Sequence, residues 1–248
     1  MMNNLKFIFV LVCTGSLFLS GCFVDINDDD GLFGCMDADG PISTIDLNLP
    51  DFSGISLAMD ARVEITQGPE QSVTVEGKSD IFDELDLDIS SSGIWTIRTE
   101  DCVRDVDNLI FYITVPDLNE IKISGSGKII STNTFVVGDI ELRISGSGEI
   151  NMALEADDIE VDISGSGEVY LEGLADELSL DVTGSGDLEA FDIAVREGNI
   201  KISGSGDAEV RVEDRLDVRI TGSGDVYYKG QPLLDVSITG SGEVIDAN

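Results

Sequence analysis

One short pattern, apolar-x-apolar-[Ser/Thr]-Gly-Ser-Gly-x-apolar, recurs seven times from residue 121 onward. Counted from its first hydroxyl, it begins at Ser124, Ser145, Ser164, Thr183, Ser203, Thr221 and Thr239, with spacings of 21, 19, 19, 20, 18 and 18 residues. Within a copy the apolar positions alternate. Leu142, Ile144, Gly146, Gly148 and Ile150 share one parity; Arg143, Ser145, Ser147 and Glu149 share the other. Period-two alternation is the mark of a strand with one buried face. A repeat of about nineteen residues is too short for a strand-helix-strand crossover and for a four-stranded propeller blade. It fits one coil of a parallel β-helix, or β-solenoid, with two or three short strands per coil. Equivalent strands then stack in parallel at ~4.8 Å. One coil cannot bury its apolar face alone, but stacked neighbours make a continuous core. The fold class expected is all-β.

The glycines require a separate reason. Each costs ~0.5–1 kcal/mol in a strand relative to Ala, so the fourteen in the motif forfeit ~7–14 kcal/mol. Either the backbone takes positive φ there, or the walls of the coil approach too closely for a Cβ. Upstream, Ile55-Ser56-Leu57-Ala58-Met59-Asp60-Ala61-Arg62-Val63 aligns with Ile121 to Ile129, placing Met59 and Ala61 in the glycine slots. A Met is awkward at positive φ. The expectation is therefore a strand running on through the motif, its glycines facing a tight interior that widens toward the N-terminus. Positive φ at most of Gly125, Gly146, Gly165 and Gly184 would overturn it.

Residues 42–120 show the same strand grammar less regularly. Strands are expected at 42–49, 55–66, 72–76, 85–89, 94–98 and 109–115, with a turn at Gln67-Gly68-Pro69-Glu70. Trp95, Phe111 and Tyr112 are expected to cap and fill this broader end. Phe52-Ser53-Gly54-Ile55, Val63-Glu64-Ile65-Thr66-Gln67-Gly68, Ile113-Thr114-Val115-Pro116-Asp117-Leu118 and the Ile-Ser-Gly-Ser-Gly copies together resemble the head domain of auto-transporter adhesins, the GIN domain. The resemblance covers about residues 42–245. It implies a right-handed β-helical stack and a place in the Gram-negative cell envelope, and it brings no catalytic residues.

The N-terminus reads as an address. Lys6 precedes the apolar run Phe7 to Val12, and Leu19-Ser20-Gly21-Cys22 follows. This ending resembles the lipobox of bacterial lipoproteins, which implies cleavage before Cys22 and acylation of that residue. The apolar run is shorter than the ~20 residues a span needs. The expected division is a signal peptide over 1–21, an acidic tether over 22–40 and a GIN-like β-helix domain over 41–248. Phe23 and Val24 after Cys22, where Asp would mark the inner membrane, resemble outer-membrane sorting. The Asp cluster that follows resembles surface-export signals; a plain acidic spacer is the alternative. Cys13 leaves with the signal peptide. Cys35 and Cys102 remain, in an oxidising compartment, either as a disulfide pinning the tether or as two separate thiols.

Composition narrows the chemistry. The chain has no His, which removes Ser-His-Asp and Cys-His sites and His-ligated metals. Its net charge of −35 repels nucleic acid and anionic lipid headgroups. Following the second motif glycine come Lys128, Glu149, Glu168, Asp187, Asp207, Asp225 and Glu243. Six successive coils thus place a carboxylate in one column, each neighbouring pair repelling by ~0.9 kcal/mol in water. Such a ladder can collect calcium or another cation weakly; a solvated acidic face is the alternative. Hydroxyls from Ser126 to Ser241 form a neighbouring column, and Tyr170 and Tyr227 share one offset, where exposed rings could stack on sugar. Three functions fit: a surface adhesin or binding module, a periplasm-facing structural or assembly component of the envelope, and, remotely, a carboxylate-based polysaccharide enzyme. The last needs an irregular acidic cleft and long loops, which the even repeat does not offer. The partner implied is an envelope protein or polysaccharide, with the membrane reached through lipid on Cys22.

Overall fold

The protein is described here by a computed structural model of residues 35–104, 106 and 108–248; Cys22, the signal peptide and most of the tether lie outside the described residues. The chain coils into a β-solenoid whose rungs recur about every nineteen residues. Equivalent residues stack in parallel register. Gly125, Gly146, Gly165 and Gly184 lie on one another, followed by Gly204, Gly222 and Gly240. The alternation read from the sequence decides what is inside. Ile123, Ile144, Ile163, Val182, Ile202 and Ile220 are fully buried in one column, and Ile129, Ile150, Val169 and Leu188 in another. Each such side chain stabilises the fold by about 1.5–3 kcal/mol relative to exposure.

Two or three short strands per coil form toward the ends of the repeat, as in Glu120–Gly125, Lys128–Ser131 and Phe135–Val136 or in Val226–Lys229 and Leu233–Gly240, but not in its middle coils. Glu149–Gly165, Glu168–Gly184, Asp187–Gly204 and Ala208–Gly222 are single bent strands of 17, 17, 18 and 15 residues, interrupted only at the Gly-Ser-Gly motif. The parallel ladder follows the chain around the bend, so no loop is needed there.

The motif itself corrects the expectation of a continuous strand. The first glycine of every copy has positive φ, from 128° at Gly165 to 148° at Gly204. The strand ends there and the chain turns. Met59 is accommodated because its rung, directly beneath the first motif copy, turns differently: Gly54–Leu57 ends before it, and its φ is not positive. The second glycine has an ordinary φ and a different constraint. A Cβ on Gly148 would lie 2.5 Å from Ile123 Cγ2 and 2.9 Å from the Gly127 carbonyl. The two glycines thus answer the two alternatives separately, one by turning and one by close approach.

The N-terminal part continues the stack but not in chain order. Gly54–Leu57 and Arg62–Gln67 are inserted between the rung of Glu120–Gly125 and Lys128–Ser131 above and that of Ile94–Ile97 and Ile110–Val115 below. Ile42–Leu47 and Ser72–Lys78 then close this end with antiparallel pairing. The segment read as one strand over 55–66 is two, and 85–89 contributes only isolated bridges after a 3₁₀ helix, Ser79–Glu84. Trp95 and Phe111 fill the interior edge to face at 5.8 Å, and the Trp95 indole N–H donates to the Asp86 carbonyl at 3.0 Å. Tyr112, next to Phe111, points outward on the opposite parity.

The last residues of the stretch read as a tether are docked on the body. Cys35 and Cys102 form a disulfide with Cα atoms 4.6 Å apart. Met36–Asp37 pairs with Val103–Arg104, and Ala38 is fully buried.

Candidate functional site

The wall that follows each motif carries the column of acids. Lys128, Glu149, Glu168 and Asp187 stand in strict register. Lys128 forms an ion pair with Glu149 at the foot of the column. Above Asp187 the column works differently. Asp187 accepts the backbone N–H of Asp207 at 2.8 Å, Asp207 that of Asp225 at 2.7 Å, and Asp225 that of Glu243 at 2.8 Å. In the lower rungs those N–H groups go to glycine carbonyls instead, Glu149 to Gly127 and Glu168 to Gly148. The shorter Asp side chain folds back along the stack and replaces the carbonyl as acceptor. One oxygen of each of these three Asp is therefore committed to the backbone, which weakens the column as a ladder for cations.

Two positions further along the same wall a second column runs Asn151, Tyr170, Glu189, Glu209, Tyr227 and Ile245. Tyr170 and Tyr227 thus share a column, but two glutamates separate them. Three rung steps amount to ~14 Å, too far for one sugar ring to touch both. The Tyr170 hydroxyl donates to Glu168 at 2.7 Å, and this bond, with burial, pushes its pKa up. The Tyr227 phenol is also raised, by burial first and then by Asp225 and Asp207. Burial and the neighbours Glu209, Glu168 and Asp187 raise the Glu189 carboxyl.

Beside this column the ladder breaks. Pairing between Asp187–Gly204 and its neighbours shifts at 170/172 on one side and 190/194 on the other, and Phe191 bulges out. The ammonium of Lys229 reaches over the intervening strand to 3.9 Å from the Phe191 ring centre. A concavity of about 350 Å³ results, floored by Tyr170, Glu189, Phe191 and Glu209 and rimmed by Lys229. Sequence reading missed Phe191 and Lys229. The signal was present in the 20-residue spacing between Thr183 and Ser203, one residue more than its predecessor. Bulges of this kind re-aim side chains out of a regular sheet.

The wall preceding the motif holds a second acidic group that was not singled out. Carboxylate oxygens of Glu141, Glu160 and Asp162 lie within 4.8 Å of one another. Arg143 sits among them, paired with Glu141 and, at 3.0 Å, with Asp162, so the cluster carries its own counter-ion. A shallow groove of about 680 Å³ runs along this wall past Ser92, Glu120, Asp139 and Glu160. Lys201 and Arg196 bridge rungs in the same way, to Asp181 and Asp176. The walls present long, even polar strips rather than a deep cleft.

The sequence profile of the family described as "Putative auto-transporter adhesin, head GIN domain" matches residues 51–232. A crystal structure described as a putative adhesin from Bacteroides fragilis superposes with a TM-score of 0.80 at 22% identity, over 84% of this chain and 98% of that one. A putative adhesin from Parabacteroides distasonis gives 0.72 at 25% identity, over 84% and 98%. A protein from the same species described as lipid binding gives 0.71 at 25%, over 85% and 99%. No curated protein matches the chain.

Proposed function

The chain belongs to the auto-transporter adhesin head (GIN) domain family, and on that premise we propose that it is a lipoprotein, anchored in the outer membrane through Cys22, that presents its solenoid as an adhesin-like binding or scaffold surface outside the cell. The division proposed is a signal peptide over 1–21, a lipidated tether from Cys22, and a β-helix domain that takes in the docked segment from Cys35. The observation that carries the binding role is the form of the described residues: long, even walls of Ser, Thr and carboxylate, with no deep cleft among them. Such walls suit contact with an extended partner, a polysaccharide or a basic protein, rather than turnover of a small substrate. The lipobox-like Leu19-Ser20-Gly21-Cys22 supports the anchor. Acyl chains bind a bilayer with about 0.8 kcal/mol per buried CH₂.

Protease treatment of intact cells tests display. Degradation of the chain before the outer membrane is permeabilised is expected; full protection until permeabilisation would move it to the periplasmic face, as a structural or assembly component. Cys22→Ser is expected to shift the protein from the membrane fraction to the soluble one, and retention in the membrane would overturn the anchor.

A further inference from the structure

Among the described residues the core of the stack is covered at one end only. Leu234, Val236 and Ile238 lie in register over Leu216, Val218 and Ile220. They are 45%, 41% and 40% exposed, where the residues beneath them are 0%, 1% and 1%. Among the described residues the strand Leu233–Gly240 pairs on one side alone, with Ala208–Gly222. Its other edge presents free backbone N–H and C=O groups above an uncovered core, the arrangement that templates pairing with another chain. The opposite end is covered by antiparallel strands. An exposed core at one end therefore finds a matching exposed core only in the like end of a second copy, which it meets about a two-fold axis.

We propose that this open end pairs with the same end of a second copy, the strand Leu233–Gly240 lying antiparallel to its counterpart about an axis at Val236. That register sets Leu234 against the second copy's Ile238 and Val236 against itself. The apolar positions of both strands stay on the inner face and the two cores become continuous. Charge fits the same register. Asp235, the one charged residue of the strand, opposes the uncharged Ser237 rather than another Asp235. Arg219 lies directly beneath Ser237. The small serine leaves the guanidinium a path to the second copy's Asp235, a reach across one strand that Lys229 already makes toward Phe191. The surroundings are favourable as well. Four of the fourteen Lys and Arg, namely Arg211, Arg215, Arg219 and Lys229, lie in the last rungs, whereas residues 139–192 contain Arg143 as their one cation. Pairing here leaves the two Cys35–Cys102 ends at opposite extremes of the dimer.

The test is a thiol crosslink on the full chain in its native envelope. In the proposed register, Ser237 of the two copies lie on a diagonal of roughly 7–8 Å, within reach of a short bis-maleimide, and Cys35 and Cys102 are closed to the reagent as a disulfide. Ser237→Cys is expected to give a covalent dimer of this chain as the main product. Leu174→Cys, exposed in the middle of the stack, is expected to give none. Adding Ile238→Asp to Ser237→Cys is expected to abolish the dimer while the Cys35–Cys102 disulfide still forms. A monomer at Ser237→Cys, a crosslink to a different envelope protein, or an equal yield from Leu174→Cys would each overturn the proposal. The readout does not depend on which side of the membrane the chain faces, so it stands apart from the protease test of display.

Discussion

The carboxylate of Asp207 accepts the backbone N–H of Asp225, one rung further on, at 2.7 Å. A side chain here does the work that a glycine carbonyl does lower in the stack. Asp207→Ala leaves that half-buried N–H without its acceptor, and a hydrogen bond to a charged group contributes about 1.5–3 kcal/mol. The expected loss in unfolding free energy lies toward the lower end of that range, because the column is partly solvated. Asp207→Asn keeps an acceptor oxygen and is expected to lose less. Denaturant midpoints of the two variants check the order.

Asp86 gives the fold a pH dependence of definite sign. Its carboxylate accepts the Asp88 backbone N–H at 2.9 Å and the Arg98 Nε–H at 2.7 Å. These bonds, the backbone one foremost, hold the carboxyl below its ordinary value against the opposing effect of burial. The folded pKa is thus lower than the unfolded one, near 3.9. The stabilisation is fully present above the unfolded value and is lost as pH falls through the folded one. Unfolding free energy is expected to decline below about pH 4, and Asp86→Asn to flatten that decline. An equally steep acid limb in the variant would remove Asp86 from the account.

The disulfide spans a separation of 67 residues between Cys35 and Cys102. Closing a loop of that size restricts the unfolded chain by about 4 kcal/mol in the chain-entropy description. Cys102→Ser is expected to lower stability by about that amount, and to loosen Met36–Asp37 from Val103–Arg104 first, since that two-residue pairing has little else to hold it. Amide hydrogen exchange at Met36 and Ala38, whose N–H groups bond to the Cys102 and Arg104 carbonyls, reads this directly.

Much of this was legible in the sequence because parallel stacking turns each offset of the repeat into a physical column. The inner column from Ile123 to Ile220 and the outer one from Lys128 to Glu243 follow from counting alone. Three things were not legible, each for a physical reason. Counting fixes which residues share a column but not how a side chain bends along it, so the change from Glu168 to Asp187 did not disclose its change of hydrogen-bond partner. The chain order of the N-terminal rungs is broken by the insertion of Gly54–Gln67, a long-range pairing with no local signature. And an alignment that placed Met59 over Gly125 assumed that equivalent positions share a backbone conformation, which the rung of Met59 does not.

That misreading leaves a sharp contrast among the glycines. Gly125 and Gly146 have nearly the same φ, 130° and 132°, a region that costs about 1–3 kcal/mol for any residue with a Cβ. Their surroundings differ. A Cβ on Gly125 would meet nothing within 4 Å, because the rung beneath it turns at Met59; a Cβ on Gly146 would lie 2.6 Å from the Gly125 carbonyl oxygen. Backbone cannot move aside there without disturbing the ladder of the neighbouring rung. Gly125→Ala is therefore expected to cost the conformational penalty alone, and Gly146→Ala that penalty plus a steric one, so that its unfolding free energy falls further. If thermal or denaturant unfolding gave equal losses, close stacking of the glycine column would not be what excludes side chains from it, and positive φ alone would account for the first glycine of every copy.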